Sequence, residues 1–198
     1  MILIVNNGSI FIEIIEGILK EDGQDCVVVP QDALFQEIEE HQYIGVVLSG
    51  GPKPNLDEAF RFDMIKANIA CLINYDLPVL GICEGHEIFG DACGGVVAKM
   101  PEPSIHDELP ITVTDRTGIF AGLPETFPAY EHHSYAVQSV PPILEIAAHS
   151  SVNKIEALFH RTRPLFSTQF HPEKSGEFGK TIFRNFVKIC RQHRPATW

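Results

Sequence analysis

The sequence has few basic residues and no long apolar run. Its 15 lysines and arginines stand against 26 acidic residues, and the net charge of −11 offers no basic patch to a nucleic acid or an anionic membrane. No apolar stretch approaches the roughly 18 residues of a membrane-spanning helix. The apolar start, Met1–Val5, lacks a preceding basic segment and is expected to form a strand rather than a signal peptide. We therefore expect neither a nucleic acid nor a membrane as partner.

Motifs for metal and nucleotide binding are also missing. No CxxC or HExxH pattern occurs, and the adjacent His132 and His133 would point to opposite faces of a strand, so we expect no metal site. The absence of a GxxxxGK[ST] loop predicts no ATP site of that kind. Five widely spaced cysteines, an odd number, argue against a disulfide framework and favour a reducing, cytoplasmic compartment.

Apolar runs and helical patterns alternate through the first half of the chain. The expected strands are Met1–Val5, Cys26–Val29, Ile44–Leu48 and Pro78–Ile82, and the expected helices are Phe11–Lys20, Asp32–Glu40, Asp57–Asn74 and Gly85–Cys93. Uninterrupted apolar strands in this order predict an α/β fold, in which a doubly wound, mostly parallel sheet has helices on both faces.

The second half is rich in strand-like runs with few helices between them. These runs are Val96–Lys99, Pro110–Thr114, Ile143–His149, Ile155–His160 and Leu165–Phe170, and a last helix is expected at Phe178–Cys190. They predict an antiparallel extension of the sheet. The length of 198 residues fits a single domain over residues 1–198.

Cys83 lies where a buried strand is expected to meet a helix. Gly81 and Gly85 stand two residues before and two after it, as a sharp strand-to-helix turn with close backbone packing requires. Such a turn places the sulfur at the carboxyl edge of the sheet, where open α/β sheets bind ligands. The start of the helix lowers a thiol pKa and provides N–H groups for an oxyanion. Cys83 is the predicted nucleophile, and we expect the other cysteines to be structural.

A histidine and a carboxylate follow the expected strand Leu165–Phe170. A nucleophilic thiol needs a histidine to take its proton and to protonate the leaving group, and the histidine needs a carboxylate to fix its tautomer. His171 and Glu173 stand two residues apart with Pro172 between them, so both side chains can point the same way. Together with Cys83 they form a candidate catalytic triad.

Four segments together resemble the class I glutamine amidotransferases. They are Leu48-Ser-Gly-Gly-Pro52, Gly81-Ile-Cys-Glu-Gly-His-Glu87, His133-Ser-Tyr-Ala-Val137 and Gln169-Phe-His-Pro-Glu173, which occur in the family's order. The resemblance implies a flavodoxin-like fold and a triad of Cys83, His171 and Glu173. It also implies an oxyanion hole from the backbone N–H groups of Gly51 and Glu84. Glutamine would be bound by residue 87 and by the backbone around Ser134 and Tyr135.

Within that family, the chain looks most like the glutaminase half of GMP synthase. The Glu177-Phe-Gly179 segment after the His-Pro-Glu motif and the Ser-Gly-Gly-Pro loop both favour this assignment. The resemblance implies glutamine hydrolysis to glutamate and ammonia through a cysteinyl thioester, with ammonia passing to a separate ATP-pyrophosphatase subunit for the conversion of XMP to GMP. No cofactor is expected in this chain, and ATP and Mg²⁺ are expected only in the partner.

Two acidic residues depart from the family pattern beside the cysteine. Glu84 stands where the family usually has an uncharged residue, and Glu87 stands where it has a glutamine that contacts the substrate. Two nearby carboxylates oppose a thiolate, each by up to about 3 kcal/mol at about 5 Å and an effective dielectric near 20. These residues motivate the hypothesis that the isolated chain is a slow glutaminase that its partner activates.

Three other functions stay open on the sequence. The ammonia could serve anthranilate or aminodeoxychorismate synthase, or the chain could be a γ-glutamyl hydrolase, an alternative that Glu87 modestly favours. The third is a non-catalytic, glutamine-sensing subunit whose site Glu84 and Glu87 disable. The intact triad argues against that third function.

Overall fold

The computed structural model describes residues 1–31, 43–51, 68, 72, 75–100 and 105–193, with only the backbone considered at 105–107. Its helices are α1 Ile12–Glu21, α2 Glu84–Ala92 and α3 Gly176–Gln192, and its strands are β1 Ile2–Asn6, β2 Cys26–Pro30, β3 Gly45–Leu48, β4 Val79–Ile82, β5 Val96–Lys99, β6 Ile105–Val113, β7 Thr126–His133, β8 Tyr135–Ser139, β9 Leu144–His149, β10 Ala157–His160 and β11 Leu165–Thr168. The predicted helix Asp32–Glu40 lies outside these ranges. Of the predicted helix Asp57–Asn74, only Asn68 and Leu72 are described, and both are helical.

Nine strands form one mixed sheet, and β5 pairs with β8 in a separate two-stranded antiparallel sheet. The order across the large sheet is β2-β1-β3-β4-β11-β10-β9-β6-β7. The first five of these strands are parallel neighbours, and the pairings from β11 onward to β7 are antiparallel. The predicted fold class is therefore confirmed, with the antiparallel extension nearly as large as the parallel part. The single-domain organisation stays a prediction.

Both faces of the parallel part are covered, as its apolar strands require. Ile2 and Ile4 of β1 pack into one apolar cluster with residues of α1 and α3, whereas Leu3 and Val5 pack into a second cluster with residues of α2. Because successive side chains of a strand point to opposite faces, one run of four apolar residues contributes to two cores. This arrangement fixes the carboxyl ends of β3, β4 and β11 side by side.

Two strands and part of a third were not predicted from the sequence. β6 begins at Ile105 instead of Pro110, and β7 and β8 were not predicted as strands. In β7 the residues Phe127, Ala129, Glu131 and His133 are buried in alternation. Two of these four are ionisable, and Pro128 interrupts the run, so the apolar period that signals a strand is lost. Pro128 is tolerated because β7 lies at the edge of the sheet.

Candidate active site

Cys83 occupies a strained turn between β4 and α2. Its φ of 52° is the only positive φ of a non-glycine residue in the described ranges. The turn is held from both sides, since the Cys83 N–H donates to the carbonyl of Thr168 at 2.8 Å. The Cys83 carbonyl in turn accepts the N–H groups of His86 at 2.9 Å and Glu87 at 3.0 Å. Strain at a non-glycine residue persists only where the surroundings impose it, as at nucleophile turns.

The two glycines of the turn allow the close backbone approach that the sequence pattern predicts. A Cβ at Gly85 would lie 2.5 Å from the carbonyl oxygen of Leu48, and a Cβ at Gly81 would lie 2.6 Å from that of Gly85. Real Cβ atoms do not approach backbone oxygens so closely, and backbone atoms have no rotamer with which to yield. The pattern Gly-Ile-Cys-Glu-Gly is therefore a packing requirement of this turn.

His171 and Glu173 form a buried hydrogen-bonded pair beside the cysteine. The Nδ1–H of His171 donates to Oε1 of Glu173 at 2.8 Å, across the 3₁₀ turn Pro172–Lys174. The backbone of His171 is anchored as well, because its N–H donates to the Tyr130 carbonyl at 2.8 Å and its carbonyl accepts the Ser175 hydroxyl at 2.7 Å. The carboxylate thus fixes the tautomer that leaves Nε2 for the thiol.

The Cys83 thiol and the His171 imidazole lie close enough to shift each other's pKa. Burial raises the pKa of the thiol, and the adjacent imidazole opposes that rise. Burial lowers the pKa of His171, but Cys83 and Glu173 outweigh it and hold that pKa well above its ordinary value. Cys83 and His171 therefore share one transferable proton. Burial favours the neutral thiol, whereas the closeness of the two side chains favours the thiolate–imidazolium form.

The two unusual carboxylates lie where the sequence predicts. Both Glu87 and Glu84 raise the pKa of the Cys83 thiol further, after the larger effect of burial. Glu87 is buried, and its Oε1 accepts a hydrogen bond of 3.3 Å from the side-chain amide of Gln169. The Glu84 carboxylate lies directly against Gly51, where even a Cβ would overlap it. Each carboxylate is thus held close to the nucleophile.

The loop after β3 lines the space between the nucleophile and the base. A Cβ at Gly50 would lie 3.2 Å from Cε1 of His171 and 3.5 Å from the Cβ of Cys83, so Gly50 is next to both. Gly51 follows at the position expected for an oxyanion donor. Gly50 was not singled out from the sequence, although the Ser-Gly-Gly-Pro motif contains it.

Ser134 and Tyr135, the predicted contacts of the glutamine backbone, lie at the junction of β7 and β8. The Ser134 carbonyl accepts the Met100 N–H at 2.9 Å, and the Tyr135 carbonyl accepts Nδ1–H of His133 at 2.8 Å. Just before them, the His132 carbonyl lies 3.7 Å from Sγ of Cys83. The junction therefore borders the nucleophile, and the roles of Ser134 and Tyr135 stay predictions.

Comparison with known proteins decides the family. The sequence profile described as glutamine amidotransferase class-I matches residues 3–190. The chain belongs to the class I glutamine amidotransferases. A relative from Methanocaldococcus jannaschii, named as one subunit of the glutamine-hydrolysing GMP synthase, is 35% identical over 192 residues, which cover 96% of this chain and 97% of the relative. The corresponding protein from Thermoplasma acidophilum is 33% identical, over 98% of this chain and 94% of that one.

Solved structures agree with this family assignment. The crystal structure of a GMP synthase component from Thermoplasma acidophilum superposes with a TM-score of 0.88 at 32% identity, over 96% of this chain and 93% of that one. A glutamine amidotransferase from Thermotoga maritima superposes with a TM-score of 0.78 at 15% identity, over 97% of this chain and 98% of that one, which shows the shared fold alone. This chain is accordingly a glutamine amidotransferase enzyme.

Several contacts of this amidotransferase site were not apparent from the sequence. Phe11, at the start of α1, packs edge-on against the ring of His171 with 5.2 Å between ring centroids. The carbonyls of Thr168, Tyr130 and His132 complete the surroundings of Cys83 and His171. None of these has a sequence signal, because backbone carbonyls have no residue preference and a lone aromatic residue is typical of a core.

Proposed function

We propose that this chain hydrolyses glutamine through a γ-glutamyl thioester on Cys83 and supplies the ammonia to a separate synthetase that aminates XMP to GMP. The observation that supports the chemistry is the buried position of Cys83 beside His171, whose Nδ1–H donates to Glu173. The identity of the acceptor is supported by relatives that are named as subunits of GMP synthase and that match this chain along nearly its whole length.

The first half-reaction begins when His171 takes the thiol proton and Sγ of Cys83 attacks the side-chain amide carbon of glutamine. A C–S bond forms, and the carbonyl electrons move onto oxygen, where the N–H groups of Gly51 and Glu84 are proposed to stabilise the oxyanion. As the intermediate collapses, the C–N bond breaks and His171 gives its proton to the leaving nitrogen. The products are ammonia and a γ-glutamyl thioester.

In the second half-reaction, water replaces the thiol. His171 takes a proton from water as its oxygen attacks the thioester carbon, and collapse of the second oxyanion breaks the C–S bond. The sulfur leaves as thiolate and recovers the proton from His171, which restores the starting state and releases glutamate. Glu173 holds the imidazole in one tautomer through both halves.

Glu87 is proposed to recognise the amide of the substrate. Its carboxylate is one helical turn from Cys83 on α2, and the Gln169 amide holds it by hydrogen bond. A carboxylate accepts a hydrogen bond from the amide nitrogen of glutamine and repels the carboxylate of the glutamate product. We therefore expect glutamine to bind much more tightly than glutamate.

The partner is proposed to be an ATP-pyrophosphatase that holds the ATP and Mg²⁺. Free ammonia at neutral pH is mostly ammonium, which is not a nucleophile, so direct transfer to that partner avoids protonation. The acidic residues Glu84 and Glu87 disfavour the thiolate in the isolated chain. Docking of the synthetase is proposed to reposition this part of the site and so raise the glutaminase rate.

Reconstitution with amide-¹⁵N glutamine tests the proposal. The chain, a GMP-forming synthetase, ATP, Mg²⁺ and XMP are combined, and the ¹⁵N content of GMP is measured by mass spectrometry. We expect ¹⁵N in GMP even when unlabelled ammonium is present, and faster glutamine hydrolysis than by the chain alone. GMP labelled no more than the free ammonium pool would contradict direct transfer.

The same preparation separates the other functions. Transfer of ¹⁵N to anthranilate or aminodeoxychorismate by the corresponding synthases, without transfer to GMP, would assign the acceptor differently. Hydrolysis of γ-glutamyl peptides in preference to glutamine would indicate a γ-glutamyl hydrolase. Glutamine binding without turnover, alone and with every synthase, would indicate a sensing role.

A further inference from the structure

A second cluster of ionisable side chains lies inside the antiparallel part, apart from the catalytic triad. Glu131 and His133 stand two residues apart on β7 and point to the same face, and Glu156 comes just before β10. Glu131 and Glu156 are 0% exposed, and His133 is 4% exposed. One ligand atom of each of the three lies within 4.8 Å of the other two.

The polar atoms of this cluster lack the hydrogen bonds that burial demands. No well-formed hydrogen bond within the described residues reaches the carboxylate oxygens of Glu131 and Glu156 or Nε2 of His133, although Ser150 lies near Glu156. Nε2 nevertheless lies 3.1 Å from Oε2 of Glu131. Buried carboxylates without partners cost several kcal/mol in an apolar interior, so the native protein must neutralise them by some other means.

The tautomer of His133 indicates which kind of group must lie between His133 and Glu131. Its Nδ1 lies 2.8 Å from the Tyr135 carbonyl, which only accepts, so Nδ1 bears the hydrogen. In the neutral ring Nε2 is then a bare lone pair that faces a carboxylate oxygen of Glu131. Two electron-rich atoms at that separation repel each other unless a proton or a metal cation lies between them.

We propose that Glu131, His133 and Glu156 bind a divalent transition-metal ion of the Zn²⁺ class in a buried structural site.

The ligand chemistry fits such an ion. One imidazole nitrogen and two carboxylates are ligands that Zn²⁺ accepts, and its double charge offsets the two buried negative charges. An Nδ1–H that donates to a backbone carbonyl while Nε2 faces the metal is the usual outer contact of a metal-bound histidine, and His133 has that contact. Tetrahedral ligands with bonds of about 2.0 Å stand about 3.3 Å apart. The ligand atoms of the cluster lie within 4.8 Å of one another, so they must move closer together to bind an ion.

The site would join two segments that hold the catalytic base. The residue before Glu131 is Tyr130, whose carbonyl accepts the His171 N–H, and the Glu156 carbonyl accepts the N–H of Gln169 at 2.7 Å. A metal ion bound to Glu131 and Glu156 would therefore tie together the strands on both sides of the Gln169–His171 segment. The ion would stabilise this support and take no part in the reaction at Cys83.

One rival explanation uses a proton in place of the ion. The carboxyl groups of Glu131 and Glu156 lie close enough to hydrogen-bond each other once one of them is protonated. Burial raises the pKa of Glu131 to about 7 and raises that of Glu156 well above its ordinary value, as a shared proton would require. The Glu156→Gln substitution distinguishes the two, because the amide replaces the shared proton but contributes no metal-binding charge.

Metal content and thermal stability test the proposal. The purified full chain is dialysed against Zn²⁺, then against metal-free buffer, and its zinc is measured by elemental analysis. We expect about one ion retained per chain, and a midpoint of thermal unfolding higher by on the order of 5 °C than after chelation. Glu156→Gln and His133→Asn should both lose the retained ion and the stabilisation. Matched controls are Glu145→Gln and His193→Gln, whose native side chains are far more exposed than those of the cluster. Both control variants should keep the retained ion and the stabilisation.

X-ray absorption of the wild-type zinc complex keeps the test decisive if the buried variants fail to fold. The proposal predicts a first shell of nitrogen and oxygen without sulfur, which excludes zinc held by the cysteines. Sulfur in the shell, no retained ion, or equal zinc in wild type and Glu156→Gln would each overturn it. A Glu156→Gln variant that is more stable than the wild type and indifferent to Zn²⁺ would assign the cluster to a shared proton.

Discussion

The molecule contains two buried histidine–carboxylate clusters that differ in how their atoms meet. In the proposed catalytic cluster the ring of His171 donates a hydrogen bond of 2.8 Å to Glu173, and the Cys83 thiol lies beside that ring. In the cluster of Glu131, His133 and Glu156, the ring donates to a backbone carbonyl, and its remaining nitrogen faces a carboxylate without a hydrogen bond. The same residue types therefore suit proton transfer in one place and cation binding in the other.

The two clusters should therefore control different properties of the protein. Loss of a group that transfers protons lowers the rate of reaction with little effect on folding, whereas loss of a ligand from a buried site lowers stability first.

Replacing the catalytic base should have the largest effect. His171→Asn keeps a polar side chain of similar size but cannot exchange protons near neutral pH, so we expect kcat for glutamine hydrolysis to fall by about 10²- to 10⁴-fold. Thermal unfolding should change little by comparison. The measurement is ammonia release together with differential scanning calorimetry, with His193→Gln as the histidine control. A variant with near wild-type kcat would refute the assignment of the base.

Stability in acid should depend on His86, a fully buried histidine beside His133. Burial, and then the neighbouring His133, lowers the pKa of His86 to about 3, whereas an unfolded chain titrates near 6.5. The unfolded state therefore binds more protons between these values, and the contribution of His86 is complete above pH 6.5 and lost as the pH falls toward 3. From pH 6.5 to about pH 4.5 the loss is roughly 2 kcal/mol.

His86→Asn isolates this contribution, because asparagine can still hydrogen-bond Ser167, the present partner of His86. The comparison is wild type minus variant, with both proteins in metal-free buffer, so that the other titrating groups cancel. Denaturant unfolding at several pH values gives the difference. Parallel pH curves for the two proteins would show that His86 is not buried in its neutral form.

The charge beside the nucleophile should have the smallest effect. Glu84 raises the pKa of the Cys83 thiol, so Glu84→Gln should shift the pH dependence of Cys83 alkylation toward lower pH. Because Glu84 is partly exposed, we expect it to destabilise the Cys83 thiolate by about 1 kcal/mol or less. The variant should therefore be alkylated up to about fivefold faster near pH 7. Iodoacetamide kinetics measure this. Glu145→Gln, remote from the thiol, is the control, and equal rates in all three proteins would contradict the electrostatic account of Glu84.

The sequence predicted the parts of the fold and site that depend on local patterns. Apolar strands such as Ile44–Leu48 indicated the parallel sheet, and the glycines around Cys83 indicated the turn because backbone contact excludes any side chain there. β7 was not predicted because its buried positions include Glu131 and His133, whose burial depends on partners distant in the chain. For the same reason Glu156, 25 residues after Glu131 (156 − 131), gave no sign of a shared cluster.

The reactive cysteine can be identified directly with an electrophile that mimics glutamine. The intact chain is treated with it, with and without excess glutamine, and the adduct is located by peptide mass spectrometry. The account predicts one adduct on Cys83, suppressed by glutamine and strongly slowed in His171→Asn, while the half-buried Cys93 stays unmodified. An unmodified Cys83, or an adduct that glutamine does not suppress, would contradict the claim that this cysteine attacks the glutamine amide.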